Sequence, residues 1–469
     1  MTPIYKIFSR FFIYPAFFIF LWGSFSIFIF DAESSPAFAE EETFQVTRVD
    51  ISGIRVTNPE WVIDYLAIDF PATLTKKQID LMAKKLLTTA VFSRVEANVV
   101  PNELNPKEFT LEFKVEEKWT LIPVIRGAYG GGTPLQVIGM YDTHVLGRLW
   151  TLGAESRKYG SSPAGYVLWA KAPRWLDGKH VVGFELWRDR RRRDFFNDQS
   201  DLYGFVNTNA AMFKGYVLFP FSDISSSLWL SSNWQFGSTV QIRKEYPTTF
   251  EFTESEITQS PPKKIVLSDR ESVESKVLFN LVYDTIYVNN IEMDGYRFVF
   301  KEGPLFTKTN TYQLFETEGF FYLLKDSKFG HNWNLALHYF LGGSSVETVS
   351  NQFFLGGFDS VRGVPDSWLY GTHVFNTNVE VRKMLLKARY IWIQTATFYD
   401  YGTTGKSWSK LFKNDASSVG IGIRFMIPQV YRLMFRIDYA WSLEKPNRQG
   451  INAGLNQLFE PYAPLSSGL

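Results

Sequence analysis

From Trp119 onward the chain alternates apolar and polar residues with a period of two. In the segment THVFNTNVEVR, Phe375 and Val379 fall on one face, whereas Asn378 and Glu380 fall on the other. Segments of about ten such residues are typical of membrane barrels, whose strands alternate lipid-facing and lumen-facing side chains. A β-sandwich also alternates, but it should not place so many large apolar groups outward. The pattern predicts an all-β transmembrane barrel of antiparallel strands.

Sixteen segments in residues 119–459 carry this pattern. They begin near residues 119, 134, 148, 163, 179, 203, 225, 271, 295, 310, 331, 371, 388, 418, 431 and 450. An even number of strands brings both ends of a barrel to one side. If the first strand leaves the periplasm, the long gaps at 239–270, 343–370 and 401–417 lie outside the cell. The short gaps at 176–178 and 428–430 then lie inside, which is the asymmetry expected of bacterial barrels.

Residues 43–118 have mixed periodicity and predict a small α/β domain. Residues 44–51 alternate like a strand, and Asn58 and Thr75 are placed to cap two helices, the first over residues 59–68. Two further strands are predicted at 93–100 and 108–115. The expected order of elements is β-α-α-β-β. Its length of about 75 residues is normal for a small domain.

The first 39 residues read as a secretory signal peptide. Lys6 and Arg10 precede an apolar run, and Ala37-Phe38-Ala39 supplies a small-x-small cleavage site. We expect cleavage after Ala39. The alternative is a retained anchor helix, because an apolar run of about 20 residues is long enough to span a membrane.

Composition agrees with a barrel in lipid. Aromatic residues make up 17% of the chain, more than a soluble core usually needs, whereas membrane barrels carry aromatic girdles at both interfaces. We therefore interpret Trp150, Trp169, Trp175 and Trp187 as belt residues. The net charge of +1 does not favour nucleic acid as a partner, and the absence of cysteine excludes disulfides and thiol chemistry.

No motif predicts an enzyme, a cofactor or a metal site. The segment GTTGKS at 402–407 has two residues between its glycines, whereas a phosphate-binding loop needs four. The five histidines lack metal-ligand spacing with acids, and no nucleophile-elbow motif occurs. We therefore expect a protein without catalytic activity.

The densest basic run, Arg190, Arg191, Arg192 and Arg193, ends a predicted strand at the outer surface. Guanidinium groups bind phosphate through paired hydrogen bonds, so the run is a candidate contact for lipopolysaccharide phosphates. The alternative is a solvated loop rim.

The small domain resembles the polypeptide-transport-associated (POTRA) domain. The resemblance rests on VTRVDISGIRVT, LLTTAVFSRVEANVV and FTLEFKVEEKW within residues 43–118. It implies a periplasmic domain that receives an extended peptide at its sheet edge by β-augmentation. A passive spacer or plug is the alternative.

The segment FFLGGFDSVRGVPDSWLYGTHVFNTNVEVR resembles the sixth extracellular loop and following strand of the BamA/TamA superfamily. The matching loop motif comprises Gly356, Gly357, Val361, Arg362, Gly363 and Val364. The resemblance implies that loop 343–370 folds into the barrel, where Arg362 pairs with Glu380 and Asp400 on the inner wall. The family usually has an aromatic residue at the position of Val364.

The same resemblance implies a lateral seam between the first strand (119–128) and the last (450–459). Gly450 and Gly454 would weaken pairing there, because glycine offers no side chain to pack. Phe459 would close the last strand, and a tail of residues 460–469 follows it.

These features predict an outer-membrane assembly or insertion factor with its N-terminal domain in the periplasm. Its partners would be unfolded outer-membrane or secreted polypeptides, periplasmic chaperones or assembly lipoproteins, and outer-membrane lipids. Alternatives are a dedicated secretion pore of the two-partner type and a passive porin or surface antigen. The sequence does not choose among them.

Overall fold

The computed structural model describes residues 42–455 apart from several short gaps. The gaps are residues 67, 103–104, 130–133, 176–179, 197–201, 221–232, 253–266, 268–269, 326–331, 358–359, 432 and 445–447. The predicted signal peptide, Phe459 and the predicted tail 460–469 lie outside the described residues. In this part of the chain, no helix combines the length and the apolarity needed to cross a membrane.

The N-terminal domain consists of a four-stranded sheet and two helices. Its elements are β1 (Thr43–Ser52), α1 (Pro59–Leu66), β2 (Ala72–Thr75), α2 (Lys76–Thr88), β3 (Phe92–Pro101) and β4 (Phe109–Glu117). The strand order is β2-β1-β4-β3, with β1 parallel to β4. The sequence did not predict β2, because four residues are too few to show a period of two.

The helices of this domain are capped by the predicted residues. Asn58 Oδ1 accepts a hydrogen bond from the Trp61 amide at 3.1 Å. Thr75 and Gln78 form a reciprocal capping box, in which each side chain accepts from the other residue's amide. The apolar faces of both helices pack on the sheet. The buried core includes Val46, Trp61, Val62, Ile79, Leu86, Leu111 and Phe113.

Twenty further strands follow in the described residues. They are β5 (Leu121–Tyr129), β6 (Leu135–Val145), β7 (Trp150–Tyr159), β8 (Gly165–Trp175), β9 (His180–Phe196), β10 (Leu202–Pro220), β11 (Trp234–Glu245), β12 (Phe250–Phe252), β13 (Ser272–Asp284), β14 (Tyr287–Asn289), β15 (Glu292–Phe306), β16 (Thr311–Lys325), β17 (Trp333–Ser344), β18 (Phe353–Leu355), β19 (Leu369–Gly371), β20 (His373–Lys387), β21 (Trp392–Gly405), β22 (Asp415–Met426), β23 (Met434–Ser442) and β24 (Gln449–Leu455).

Sixteen of these strands close into an antiparallel barrel, in which β24 pairs with β5. The short strands β12 and β14 extend the pairing of β10 and β15, and β18 and β19 pair with each other inside a loop. The described strand starts differ from the predicted ones by at most four residues (392 against 388), except for β11. The start predicted near 225 falls in a gap, and the described strand begins at Trp234.

The barrel alternates as predicted on its outer face, where Ile138, Leu168 and Ile421 are more than half exposed. The inner face is less uniformly polar than expected. Trp169 and Trp187 were predicted as belt residues, but they are 2% and 8% exposed and belong to an apolar cluster inside the wall formed by β5 to β9. That prediction was wrong for these two residues, because this part of the lumen is filled by large side chains.

The N-terminal domain contacts one end of the barrel, here called the domain end. The amide of Asn58 donates to the Gly147 carbonyl at 3.1 Å, and the Thr57 hydroxyl lies 2.9 Å from His144 Nε2. Lys118 Nζ donates to Asn290 Oδ1 at 2.8 Å. These contacts involve barrel turns and a strand end at the domain end. Residues 345–372 join two strands at the opposite end, here called the loop end.

Residues 345–372 connect β17 to β20 and turn inward. A 3-10 turn at Val349–Asn351 precedes the β18–β19 hairpin. Leu355, Val361, Val364 and Leu369 from this loop are buried against inward-facing side chains of the barrel. The apolar residues of the loop therefore hold its central part inside the lumen.

Candidate functional site: an arginine anchored in the barrel lumen

Arg362 lies in the inward-folded loop, and none of its side chain is exposed. Its Nε and Nη2 atoms donate to the two carboxylate oxygens of Asp400, each at 2.8 Å. Its backbone amide donates to Asp400 Oδ2 at 3.1 Å. A guanidinium and a carboxylate in this bidentate arrangement match in geometry as well as charge.

The remaining guanidinium nitrogen of Arg362 bridges two more strands. Nη1 donates to Glu380 Oε1 on β20 at 2.7 Å and to Asp438 Oδ2 on β23 at 3.0 Å. The guanidinium also stacks 3.3 Å from the ring centroid of Phe398. One loop side chain therefore contacts β20, β21 and β23, which holds the loop against a quarter of the barrel wall.

Three more arginines lie beside these acids, towards the domain end. Arg382 Nε donates to Glu380 Oε2 at 2.7 Å, and Arg424 Nη1 donates to Asp438 Oδ1 at 2.7 Å. Arg436 Nη1 lies 3.5 Å from Asp438 Oδ2. All seven charged side chains, four arginines and three carboxylates, have no exposed area. Burial of isolated charges is costly, so the alternation of signs is what makes this cluster tolerable.

The backbone of the loop is shaped by its glycines. Gly363 has a φ of +85°, and a Cβ at this position would meet Ala440 atoms at 3.1 Å. Gly356 has a φ of +123°, and its amide donates to Ser360 Oγ at 2.7 Å. Both conformations are rarely adopted by other residues. A larger residue at 363 would therefore push the loop off the wall that Arg362 reaches.

The other predicted residues of the loop motif are Gly357, Val361 and Val364. The Gly357 amide donates to the Val364 carbonyl at 2.9 Å and closes the turn that carries Arg362. Val361 and Val364 are 0% and 1% exposed. Val364 stands where the family usually has a ring, yet its side chain is fully packed.

Two neighbours of the cluster were not predicted from the sequence. Asn378 Nδ2 donates both to the Ser360 carbonyl at 2.7 Å and to Asp400 Oδ1 at 2.9 Å, so it ties the loop backbone to the same acid. Gly422 lies opposite Asp438, and a Cβ there would stand 1.9 Å from Asp438 Oδ1 and 2.2 Å from Arg424 Nη1. The absent side chain leaves the space in which that ion pair forms.

Asp438 is the main residue that the sequence analysis missed as a ligand of Arg362. In the segment RLMFRIDYA the period of two places Asp438 on the face opposite Phe435, Ile437 and Tyr439, which indicates a lumen position. The pairing itself depends on bringing together residues 76 positions apart. Only the closed barrel fixes that proximity.

The lateral seam joins β24 to β5 through four register pairs among the described residues. They are Ile451 with Tyr129, Asn452 with Ala128, Ala453 with Gly127 and Gly454 with Arg126. Of the predicted seam residues, Gly454 pairs with Arg126 across the seam, and Gly450 pairs with Ala440 on β23.

The structure separates the four consecutive arginines of β9. Arg191 and Arg193 line a cavity of about 180 Å³ inside the barrel and so do not face lipid. Arg190 and Arg192 lie on the opposite face of the same strand. The expected phosphate contact is therefore corrected for Arg191 and Arg193, because four successive strand residues cannot share one face.

A family model described as the Omp85 superfamily domain matches residues 161–459. The chain belongs to the Omp85 superfamily. The resemblance to BamA/TamA-type barrels and the predicted sixteen-stranded fold are thereby confirmed. Membership makes this protein a bacterial outer-membrane barrel. The family inserts or secretes polypeptides, and its members are non-enzymatic transport and assembly proteins. No curated protein matches the chain by sequence.

Solved structures share this fold. BamA from Haemophilus ducreyi lacking POTRA domains 1-3 is 15% identical with a TM-score of 0.51, and the alignment covers 88% of this chain and 85% of that one. CdiB from Acinetobacter baumannii is 12% identical with a TM-score of 0.57, covering 88% and 74%. CdiB from Escherichia coli is 9% identical with a TM-score of 0.52, covering 91% and 93%. At these identities the likeness concerns the fold alone.

Proposed function

We propose that this Omp85-superfamily protein is an assembly factor that inserts unfolded outer-membrane polypeptides through the β5–β24 seam. The observation that carries the proposal is that the barrel closes at this seam by pairing its first strand with its last, with Gly127 and Gly454 among the described register pairs, where interior glycine weakens a strand. An opened seam exposes two strand edges, each with unpaired backbone groups that can pair with a client strand. Folding of the client and burial of its apolar surface in lipid would supply the free energy.

The N-terminal domain would receive the client before it reaches the seam. In this orientation the domain lies in the periplasm, as the POTRA resemblance implies. Within the described residues, β3 is an edge strand that pairs only with β4 and is ten residues long. An extended peptide could add to this edge through main-chain hydrogen bonds. Periplasmic chaperones or assembly lipoproteins are proposed partners on the same side.

The path from this domain to the seam is short. Residues 118–120 connect β4 to β5, and Trp119 is hydrogen-bonded to the turn between β22 and β23 on both sides. The Trp119 amide donates to the Gln429 carbonyl at 2.9 Å, and the Tyr431 amide donates to the Trp119 carbonyl at 2.8 Å. A shift of the N-terminal domain would therefore act directly on the first strand of the seam.

In this account Arg362, Glu380, Asp400 and Asp438 brace the barrel wall next to the seam. Their strands, β20, β21 and β23, lie within four positions of β24 in the barrel order. The loop stays inside while the seam opens, so the lumen remains filled. The role of the cluster is positional support, and no chemical step is assigned to it.

A cross-strand disulfide tests the seam. The chain has no cysteine, so G127C/A453C would introduce one unique pair between register partners of β5 and β24. The matched control is M140C/A154C, a register pair on β6 and β7. We expect oxidised G127C/A453C to stop insertion of a model barrel into proteoliposomes, with recovery on reduction. Full activity of the oxidised seam variant would refute lateral insertion.

Members of the family also secrete polypeptides. Because the loop fills the lumen, secretion through the lumen can be distinguished from lateral insertion by experiment. Export through the lumen requires the loop to leave, whereas lateral insertion does not. In V361C/G402C the new thiols would face each other, since a Cβ at Gly402 would lie 2.7 Å from Val361 Cγ2. This loop disulfide should spare insertion. Selective loss of export with an intact seam would instead favour a secretion pore.

A further inference from the structure

The outer face of β8 to β11 changes from apolar to cationic within one step of the strand ladder. Leu168, Leu186, Phe213 and Ile242 are successive register partners across these strands, and all are more than 40% exposed. The next outward-facing row towards the loop end is Tyr166, Arg188, Ala211 and Lys244. Two strand residues span about 7 Å, so the cations lie directly at the edge of the lipid-facing surface.

Arg190 adds a third cation one row further towards the loop end, opposite Asn209. Arg188, Arg190 and Lys244 are here called the outer arginine patch. Lys244 is paired with Glu271 at 2.8 Å, with both side chains largely exposed. Within the described part of the chain, neither Arg188 nor Arg190 forms an ion pair with a carboxylate.

Both arginines are nonetheless held in place. The Arg188 guanidinium lies 4.5 Å from the ring centroid of Tyr246, and Arg190 Nη1 donates to the Ala164 carbonyl at 3.2 Å. Arg192, on the same face, differs because its Nε donates to Asp194 Oδ1 at 2.7 Å. Its charge is therefore compensated within the protein, and it is left out of the patch.

We propose that the outer arginine patch binds the phosphate groups of lipopolysaccharide, with Arg188 and Arg190 as the contact residues. A guanidinium that is positioned but lacks an anion offers charge-assisted hydrogen bonds to phosphate. The acyl chains would lie along the apolar rows containing Leu168, Leu186 and Phe213. The choice of this lipid rests on the proposed orientation, in which the loop end faces the cell surface.

The site is separate from the seam, since its nearest strand, β8, lies three positions from β5 in the barrel order. It would anchor the β8–β11 wall in the outer leaflet. Failure of this proposal would therefore leave the proposed insertion function untouched, and failure of insertion would leave lipid binding measurable.

The test uses the purified full chain in detergent micelles and bisphosphorylated lipid A, with binding measured by native mass spectrometry. R188Q/R190Q should weaken binding about tenfold, because two charge-assisted hydrogen-bonding groups are lost. The matched control K383Q/R389Q removes two cations at the domain end, where Lys383 lies over Trp333 and Arg389 is exposed. The control should bind like the wild type. Equal weakening in both double variants would overturn the site.

Two further arms address folding and ligand chemistry. R188K/R190K keeps both charges, and its affinity for bisphosphorylated lipid A should stay within about threefold of wild type. A folded R188K/R190K variant that does not bind the lipid would overturn the electrostatic argument. Dephosphorylated lipid A should bind the wild type as weakly as phosphorylated lipid A binds R188Q/R190Q. Equal binding of the dephosphorylated lipid, or equal competition by phosphatidylglycerol, would overturn the assignment to lipopolysaccharide phosphate.

Discussion

Arg362 and Asp400 are 38 residues apart in the sequence and are joined by three hydrogen bonds inside the barrel, two from the guanidinium and one from the backbone amide. The contact fixes both the side chain and the main chain of the loop on β21. Since neither residue has exposed area, neither charge can be compensated by water when its partner is removed.

Removal of the guanidinium should therefore destabilise the whole barrel. We expect R362A to lower the free energy of unfolding by about 3–5 kcal/mol, because three carboxylates lose their shared partner. R362K should also destabilise, since a lysine keeps the charge but cannot form the bidentate fork. Urea unfolding in detergent micelles, followed by tryptophan fluorescence, measures both effects.

The exposed Arg389 provides the control for that experiment. R389A should leave the free energy of unfolding within about 0.5 kcal/mol of wild type, as surface substitutions usually do. If R362A behaved like R389A, the buried cluster would not hold the loop.

The space left by Gly422 should matter as much as the charges around it. We expect G422A to displace the Asp438–Arg424 pair, because a Cβ would stand 1.9 Å from Asp438 Oδ1. The cost should be about 1–3 kcal/mol, typical of overpacking at a filled site. Thermal unfolding in micelles measures it, and D438N should lower stability in the same assay.

Gly127 offers a matched position for that substitution. A Cβ at Gly127 would meet no atom within 4 Å, so G127A should leave the melting temperature unchanged. A neutral G422A, or an equal loss in G127A, would contradict the packing argument.

Acid should loosen the segment that contacts the barrel from the N-terminal domain. Burial alone would raise the pKa of Glu117, but hydrogen bonds from the Thr57 hydroxyl and from nearby backbone amides lower the pKa below its usual value. Glu117 accepts from the Val56 and Thr57 amides at 3.0 and 2.8 Å. A depressed carboxyl pKa gives stability that is present above its ordinary pKa and is lost as pH falls through the folded value.

Hydrogen exchange at residues 55–58, measured by mass spectrometry in the full chain, tests this dependence. Relative to E117Q at each pH, the wild type should be protected above the ordinary carboxyl pKa and should lose that protection on acidification. E112Q, at an exposed position of the same strand, should behave like the wild type. Protection that is equal in the wild type and E117Q at all pH values would show that Glu117 does not hold this segment.

The pairing of Arg362 with two acids is what the resemblance of its loop motif to the family implies. The loop motif marks Arg362, and the period of two places Glu380 and Asp400 on inner faces. Asp438 was placed on a polar face, but its contact with Arg362 depends on a register across β20 to β23 that the pattern does not contain. The same limit applies to Asn378 and Gly422.

Other differences have equally physical causes. The four arginines from 190 to 193 had to split between two faces, since a strand alternates at every residue. Trp169 and Trp187 were interpreted as belt residues because aromatic side chains are enriched at membrane interfaces. The lumen instead carries an apolar cluster between β5 and β9, and such filling depends on how wide the closed barrel is.

Depletion of the protein in its host, followed by quantitative outer-membrane proteomics, tests the central claim most directly. We expect the levels of many unrelated barrel proteins to fall together, wild-type protein to restore them, and oxidised G127C/A453C to fail to restore them. Loss of a single exported protein would point to a dedicated secretion pore. An unchanged outer-membrane proteome would contradict the insertion account.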